Sequence, residues 1–280
     1  MARLLNRVYL GDDIGVSELR RRAARHVGRG QYREAECYLR TALRLRTARV
    51  ASPTCDRLLL WNELGMVCKY LGKFPDAARY YRLALRHAPR RLAGCERDFF
   101  LANLYHNLGG VEHSKRCFRR GEHYARKSLQ VRRKVAAAGS LAVAADKAAL
   151  AAILQGQSRF TESENLYRQA LRTYRRAHGA RHPEIAVVLN NLGALYQSAA
   201  LHGRAESNYR AALQMKRSQL GPSHPDVAIT LNNLALFYKS RGGLSAANRC
   251  FRKALRILDK AVGKLHPNTR AVRRNFLRLR

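Results

Sequence analysis

Acidic residues are scarce in this 280-residue chain: 19 Asp and Glu stand against 54 Lys and Arg, a formal net charge of +35. Such an imbalance invites acidic partners. Long apolar runs are also missing. Asp146 and Lys147 split the alanine-rich stretch, so no segment approaches the roughly 18 residues a membrane helix needs, and a membrane span is excluded. The six cysteines, Cys37, Cys55, Cys68, Cys95, Cys117 and Cys250, form no CxxC pair and no metal-ligand spacing, which fits reduced thiols in a cytoplasmic protein. No P-loop and no G-x-S-x-G occurs, and Gly109-Gly110 and Gly242-Gly243 read as turns between helices rather than phosphate cradles. His106 and His113 lie seven apart on one expected helix, about 10 Å by the helical rise, too far to share one metal. No catalytic centre, cofactor or metal site is expected.

What the chain does have is an internal repeat. His182-Pro183 recurs as His224-Pro225 and His266-Pro267, Asn191 as Asn233 and Asn275, and Gly179 as Gly221 and Gly263, each forty-two residues on. A fixed period of this length means stacked supersecondary units. Within one unit Leu189, Leu192, Gly193 and Tyr196 fall on one helical face, and Ala205, Tyr209, Ala212 and Leu213 do so further along, so each unit is a pair of helices, A and B. Proline at the first helical position, with Glu184 or Asp226 in the first turn, starts helix A. Gly221 ends helix B. Gly193, Ala205 and Ala212 are small where two helices must approach, and Tyr209 or Phe251 fills the space between them.

The spacing L-x-x-L-G-x-x-Y followed by Ala, an aromatic and Ala-Leu resembles the tetratricopeptide repeat. The HP…LNNLA-x-x-Y form resembles the forty-two-residue version of kinesin light chains and nephrocystin-type proteins. The resemblance is strongest from Pro183 to Pro267. It implies an all-α, right-handed superhelical solenoid of six hairpins, non-enzymatic and protein-binding, with helices A on its concave face and helices B on its convex one.

In order, the repeats are expected at 17–55, 56–97, 98–139, 140–181, 182–223 and 224–265, with a capping helix over 266–280, all in one domain spanning 1–280. The N-terminus, with Arg3 and Arg7 among apolar residues, faintly suggests a targeting helix, but Asp12 and Asp13 argue against it and the start of a degenerate first repeat fits better. Arg22 occupies a normally apolar position and puts the first helix A in doubt. In repeat two Cys68 replaces the usual tyrosine and should be core. The array stays in phase from repeat three on, with Leu108 and Phe118 forty-two residues before Leu150 and Phe160; one two-residue insertion falls near Arg90 to Arg97. In repeat four Ser140-Leu141 replaces His-Pro, so the helix start is less defined.

Function must then come from surfaces. On helix A of repeat five, Val187, Asn190, Ala194 and Gln197 share the face turned away from the core; their equivalents are Leu59, Asn62, Met66 and Lys69, then Asn103, His106, Gly110 and His113, then Ile229, Asn232, Leu236 and Lys239. Asn107, Asn191 and Asn233 flank them. An amide donates to and accepts from a peptide backbone, and the resemblance to kinesin light chains implies helix-A asparagines used in this way. The expected function is an adaptor binding an extended, acidic peptide in this groove. Asn191 and Asn233 could instead only bond neighbouring helix ends. The basic residues, such as Arg204, Arg210, Arg249, Arg252 and Arg256, lie on helices B and vary in position between repeats: Arg210 aligns with Arg252, but Arg204 with Ala246. They could reflect base composition, or a scaffold bound to RNA or a ribonucleoprotein, which is the alternative reading.

Overall fold

The structure, a computed structural model, describes residues 15–49, 55–137 and 139–279. The N-terminal segment with Arg3, Arg7, Asp12 and Asp13 lies outside them. Among the described residues there are thirteen helices and no strand. They are α1 (Val16–Gly28), α2 (Tyr32–Arg49), α3 (Cys55–Tyr70), α4 (Phe74–Arg91), α5 (Gly94–Ser114), α6 (Phe118–Val135), α7 (Leu141–Gly156), α8 (Phe160–His178), α9 (Pro183–Ser198), α10 (His202–Leu220), α11 (Pro225–Ser240), α12 (Leu244–Ala261) and α13 (Pro267–Leu277). Six A–B hairpins and a thirteenth helix are the expected all-α repeat array. The chain gathers into two compact units, one ending at Arg97 and one beginning at Asp98; the break falls beside the two-residue insertion that shifts the register.

Each hairpin closes the same way. The residue at the A–B turn takes a left-handed backbone, at Gly30, Gly72, Arg116, Ser158, Ala200 and Gly242, with φ between 58° and 74°. Three repeats supply glycine there and three force a side-chain-bearing residue into a conformation that costs it about 1–2 kcal/mol. Helices A and B then close over a small residue. A Cβ on Gly193 would stand 2.7 Å from the Tyr209 ring, and one on Gly65 would stand 2.5 Å from Tyr81. Gly109 and Gly110 are not a turn: both lie within α5, where Gly109 lets the backbone of α6 approach at Ala125. The aromatic fillers Tyr81, Tyr167, Tyr209 and Phe251 are fully buried, as is Cys68.

Helices A begin on a device that the sequence pattern hid. The Nδ1 of His182, His224 and His266 accepts the backbone N–H two residues on, from Glu184, Asp226 and Asn268, at 3.3, 3.1 and 3.2 Å. Histidine is thus the N-cap, satisfying one of the orphan donors that every helix start exposes, and proline follows where no N–H is needed. Ser140 does the same for α7, its hydroxyl accepting from the Val143 N–H at 3.3 Å, so that start is well defined after all. The first helix A also forms: Leu19 and Ala23 are buried, and Arg22 donates to Glu18 at 2.9 Å from one turn away.

In the second unit, helices α7, α9, α11 and α13 touch one another in succession, while each helix B packs against its own helix A and the next one. A glutamate of helix B bridges to the following helix A in a repeated bond. The Tyr196 hydroxyl donates to Glu164 at 2.8 Å and the Tyr238 hydroxyl to Glu206 at 2.9 Å; in repeat four, where Leu154 takes the tyrosine position, Glu122 receives Gln157 and Arg159 instead. Two layers result, an A face and a B face.

Candidate functional site

The A face of the second unit carries the recurring asparagines, and the structure pairs them with each other. Asn233 donates to the Asn190 carbonyl at 3.1 Å and Asn275 to the Asn232 carbonyl at 3.0 Å, each pair 43 residues apart. Asn190 and Asn232 donate in turn to Asn191 and Asn233 at 3.4 Å. The amides form one chain from α13 through α11 to α9. In the first unit the same two positions hold an ion pair, Arg20 on α1 with Glu63 on α3 at 2.6 Å. The asparagines therefore bond neither helix ends nor only a ligand; they stitch successive helices A. Asn190, expected to face the groove, is 8% exposed with its carbonyl occupied.

The stitching stops at Asn191. One repeat earlier the two positions are Ala148 and Ala149, which cannot accept, so the Nδ2 donor of Asn191 has no partner on α7. The residues of α7 that face this side, Ala145, Ala148, Ala149 and Ala152, are half-buried and make a floor of small side chains. Leu141 and Val187, exposed beside it, supply apolar contact.

The other expected groove residues are dispersed. Asn62 and Lys69 sit half-buried on α3 in the first unit, and burial pushes the Lys69 ammonium below its ordinary value. Gln197 gives its carbonyl to the Tyr209 hydroxyl at 3.0 Å, His113 tilts against Phe118, and Lys239 is tied to the carbonyl of Arg278. Asn107 and Asn191 are half-buried on α5 and α9.

Asn103 and His106 belong to a network that periodicity did not reveal. Asp146 is fully buried and Arg132 is 3% exposed. Asp146 receives His106 Nδ1 at 2.7 Å and Arg132 Nε at 2.9 Å, while Arg132 Nη2 donates to Asn103 at 2.9 Å. The Phe99 ring covers the guanidinium at 5.1 Å. Burial pushes the Asp146 carboxyl up, and the hydrogen bonds from His106 and Arg132 more than offset it, leaving it below its ordinary 3.8. The opposite charge and donated bonds favour the anion. In the three later repeats these two positions hold Tyr174 with Val188, Lys216 with Thr230, and Leu258 with Val272. Asp146 accepts from two helices and Arg132 bonds two, leaving only its buried Nη1 without a partner among the described residues, which makes the cluster a structural clamp between α5, α6 and α7.

Charge divides between the faces. Helices α6, α8, α10 and α12 carry 20 Lys and Arg against 5 Asp and Glu, whereas α5, α7, α9 and α11 carry 3 against 6. The A face thus lacks the positive charge that an acidic peptide would seek in its groove. The basic side chains are also more regular than the comparison of Arg204 with Ala246 suggested. Arg126, Arg168, Arg210 and Arg252 occupy one position in four consecutive repeats, as do Arg40 and Arg82 in the first unit.

Family models described as tetratricopeptide repeat match residues 141–218 and 201–260, and another matches 59–91. Among solved structures the chain is similar to BtubC (BKLC) from P. vanneervenii, at 25% identity over 91% of this chain and 95% of that one, with a TM-score of 0.58. It also resembles a Podosopora anserina putative kinesin light chain with nearly identical TPR-like repeats, at 16% identity over 74% and 97% and a TM-score of 0.53. A Rap protein complexed with Competence and Sporulation Factor matches at 11% identity over 94% and 85%, with a TM-score of 0.66. No curated protein sequence matches. No helix among the described residues is long and apolar enough to cross a membrane.

Proposed function

Because this chain belongs to the tetratricopeptide repeat family, whose fold serves as a scaffold for protein–protein interaction, we propose that it is a non-enzymatic adaptor. It takes an extended peptide across the A face of the second unit, over the alanine floor of α7. The observation that carries this reading is the unspent Nδ2 donor of Asn191 at the edge of that floor, one turn along α9 from exposed Val187. A peptide carbonyl would meet the amide, and small or apolar side chains would lie against the alanines. The Rap protein complexed with Competence and Sporulation Factor supports the use of this fold to hold a partner. An acidic ligand would be drawn by long-range charge from the B face rather than by contacts in the groove. A reducing, cytoplasmic setting suits the exposed thiols of Cys55 and Cys95. Nothing on the A face favours RNA as its ligand, since the basic side chains lie on helices B.

The test is to pan a library of random peptides on the full chain and measure the enriched peptides against two variants. Asn191→Ala removes the donor, and Ala149→Glu places a carboxylate on the floor at the position where Glu63 already sits in repeat two. Each should weaken binding about tenfold or more, roughly 1.4 kcal/mol, with the thermal melt unchanged. Affinities unchanged in both variants would overturn the reading.

A further inference from the structure

The regular arginines of the B face make no contact with a peptide on the A face, and they recur with a precision that a solvated surface does not need. Following Arg126, Arg168, Arg210 and Arg252 by four residues come Gln130, Arg172, Gln214 and Arg256, and by seven, Arg133, Arg175, Arg217 and Asp259. Two grooves of about 570 and 560 Å³ are lined by equivalent residues of this series, Arg126, Leu129, Gln130 and Arg133 on α6 and Arg210, Leu213, Gln214 and Arg217 on α10. Basic side chains of successive helices B also converge: Arg210 and Arg217 with Arg249 and Lys253 all act on the Cys250 thiol. Glu122, Glu164 and Glu206 each bind the arginine one turn on at 2.7 Å, yet Arg126, Arg168 and Arg210 remain more than half exposed. Arg133, Arg175, Arg217 and Arg252 are exposed with no carboxylate partner among the described residues.

We propose that this ridge on α6, α8, α10 and α12 binds double-helical nucleic acid through its phosphates, without reading sequence. Three observations select that ligand. First, 15 of the 20 basic residues on these helices are arginine, whose planar fork binds phosphate bidentately. Second, a protein partner would need apolar anchors, and no large apolar side chain beyond the first turn of these four helices is exposed. Third, bases of a single strand would need stacking platforms, and no Tyr, Phe or Trp of these helices is exposed. What remains suits a rod that carries about one negative charge per 1.7 Å along its axis and hides its bases inside.

The full chain should bind a fluorescent DNA duplex, and an RNA duplex of the same sequence equally well, because nothing on the ridge distinguishes the 2′-hydroxyl. Affinity should fall steeply between roughly 50 and 200 mM salt. A variant with Arg133, Arg175, Arg217 and Arg252 each replaced by Gln should flatten the slope of log affinity against log salt by about 3 to 4, near 0.9 for every phosphate that the variant no longer neutralises. A control that removes the same charge away from the ridge, Arg181→Gln, Arg241→Gln, Lys264→Gln and Arg270→Gln, should leave the slope nearly as it was. Polyglutamate of matched charge should compete poorly. Equal slopes in the two variants, competition by polyglutamate as strong as by duplex, or no duplex binding at low salt would each overturn the proposal. Asn191→Ala should not change duplex binding, so this proposal and the peptide reading can fail separately.

Discussion

Removing the Asp146 carboxylate should be among the most damaging single changes in the second unit, and removing its partner as well should undo the damage. In Asp146→Val the Arg132 guanidinium stays charged and nearly inaccessible with only Asn103 left to hydrogen-bond it, and His106 loses its acceptor. Breaking a buried pair from one side costs about 3–5 kcal/mol, because the surviving charge has lost both water and counter-charge. The array itself indicates the remedy. Two repeats later the corresponding residues are Lys216 and Thr230, and three repeats later Leu258 and Val272, an apolar pair at the same spacing that packs without charge. Arg132→Leu with Asp146→Val should therefore return to wild-type stability or exceed it, since well-packed apolar substitutes for buried ion pairs are neutral or stabilising by about 1–4 kcal/mol. Urea denaturation followed by circular dichroism on the two single variants and the double gives the coupling energy directly. The sign of the pH dependence is fixed as well. The folded carboxyl titrates below its ordinary value, so its contribution is complete above the unfolded value near 3.8 and disappears as pH falls through the folded one; the gap between wild type and Asp146→Val should close only in that acid range. A cost below about 1 kcal/mol for Asp146→Val, or a double variant no better than the single one, would refute the clamp.

Three further outcomes are expected. Ala200→Gly and Ser158→Gly relieve left-handed backbones at φ 58° and 61°, and each should raise the melting temperature, by a net stabilisation of about 0.5–1 kcal/mol after the extra freedom of glycine in the unfolded chain is counted. Gly193→Leu forces its side chain into the Tyr209 ring and should cost about 1–3 kcal/mol, visible as faster hydrogen exchange in α9 and α10 before more distant helices. The His266 cap requires a neutral imidazole: burial lowers His266 below its ordinary 6.5, so the stability from this cap is present above that value and is lost as pH falls through the folded pKa, and His266→Ala should cost about 1 kcal/mol at pH 8 by thermal melts, a cost that shrinks as pH falls through the folded pKa.

The features legible in the sequence are those that recur along it. The forty-two-residue period places the hairpins, Pro183 and Gly221 mark helix ends, and Gly193 with Tyr209 marks the close helix crossing, because each depends on residues near in the chain and repeated. The parts that stayed hidden depend on pairs. Nothing in the recurrence of Asn190 and Asn233 says that they bond each other across 43 residues, and an asparagine that meets another of the next repeat looks the same in sequence as one awaiting a ligand. Asp146 interrupts an alanine run and, read in sequence, does no more than exclude a membrane span; its partners lie 14 and 40 residues away in a single repeat, where no period can show them. The histidine caps were masked by the proline beside them, which already accounted for the helix start.

The asparagine stitch also bears on how such an array can grow. Repeats five and six each carry both halves of the bond, Asn190 with Asn191 and Asn232 with Asn233, so any copy of either can dock on any other with the amides matched. Duplicating the segment from His182 to Ser223 would add a unit without breaking a pair. The same is not true elsewhere. Arg20 and Glu63 fit only each other, Ala148 and Ala149 offer no bond, and Arg274 beside Asn275 leaves α13 able to donate to the repeat before it but without the carbonyl that a following repeat would need. Length is therefore adjustable at one joint, where the units are interchangeable, and fixed at the others by residues that recognise a single neighbour.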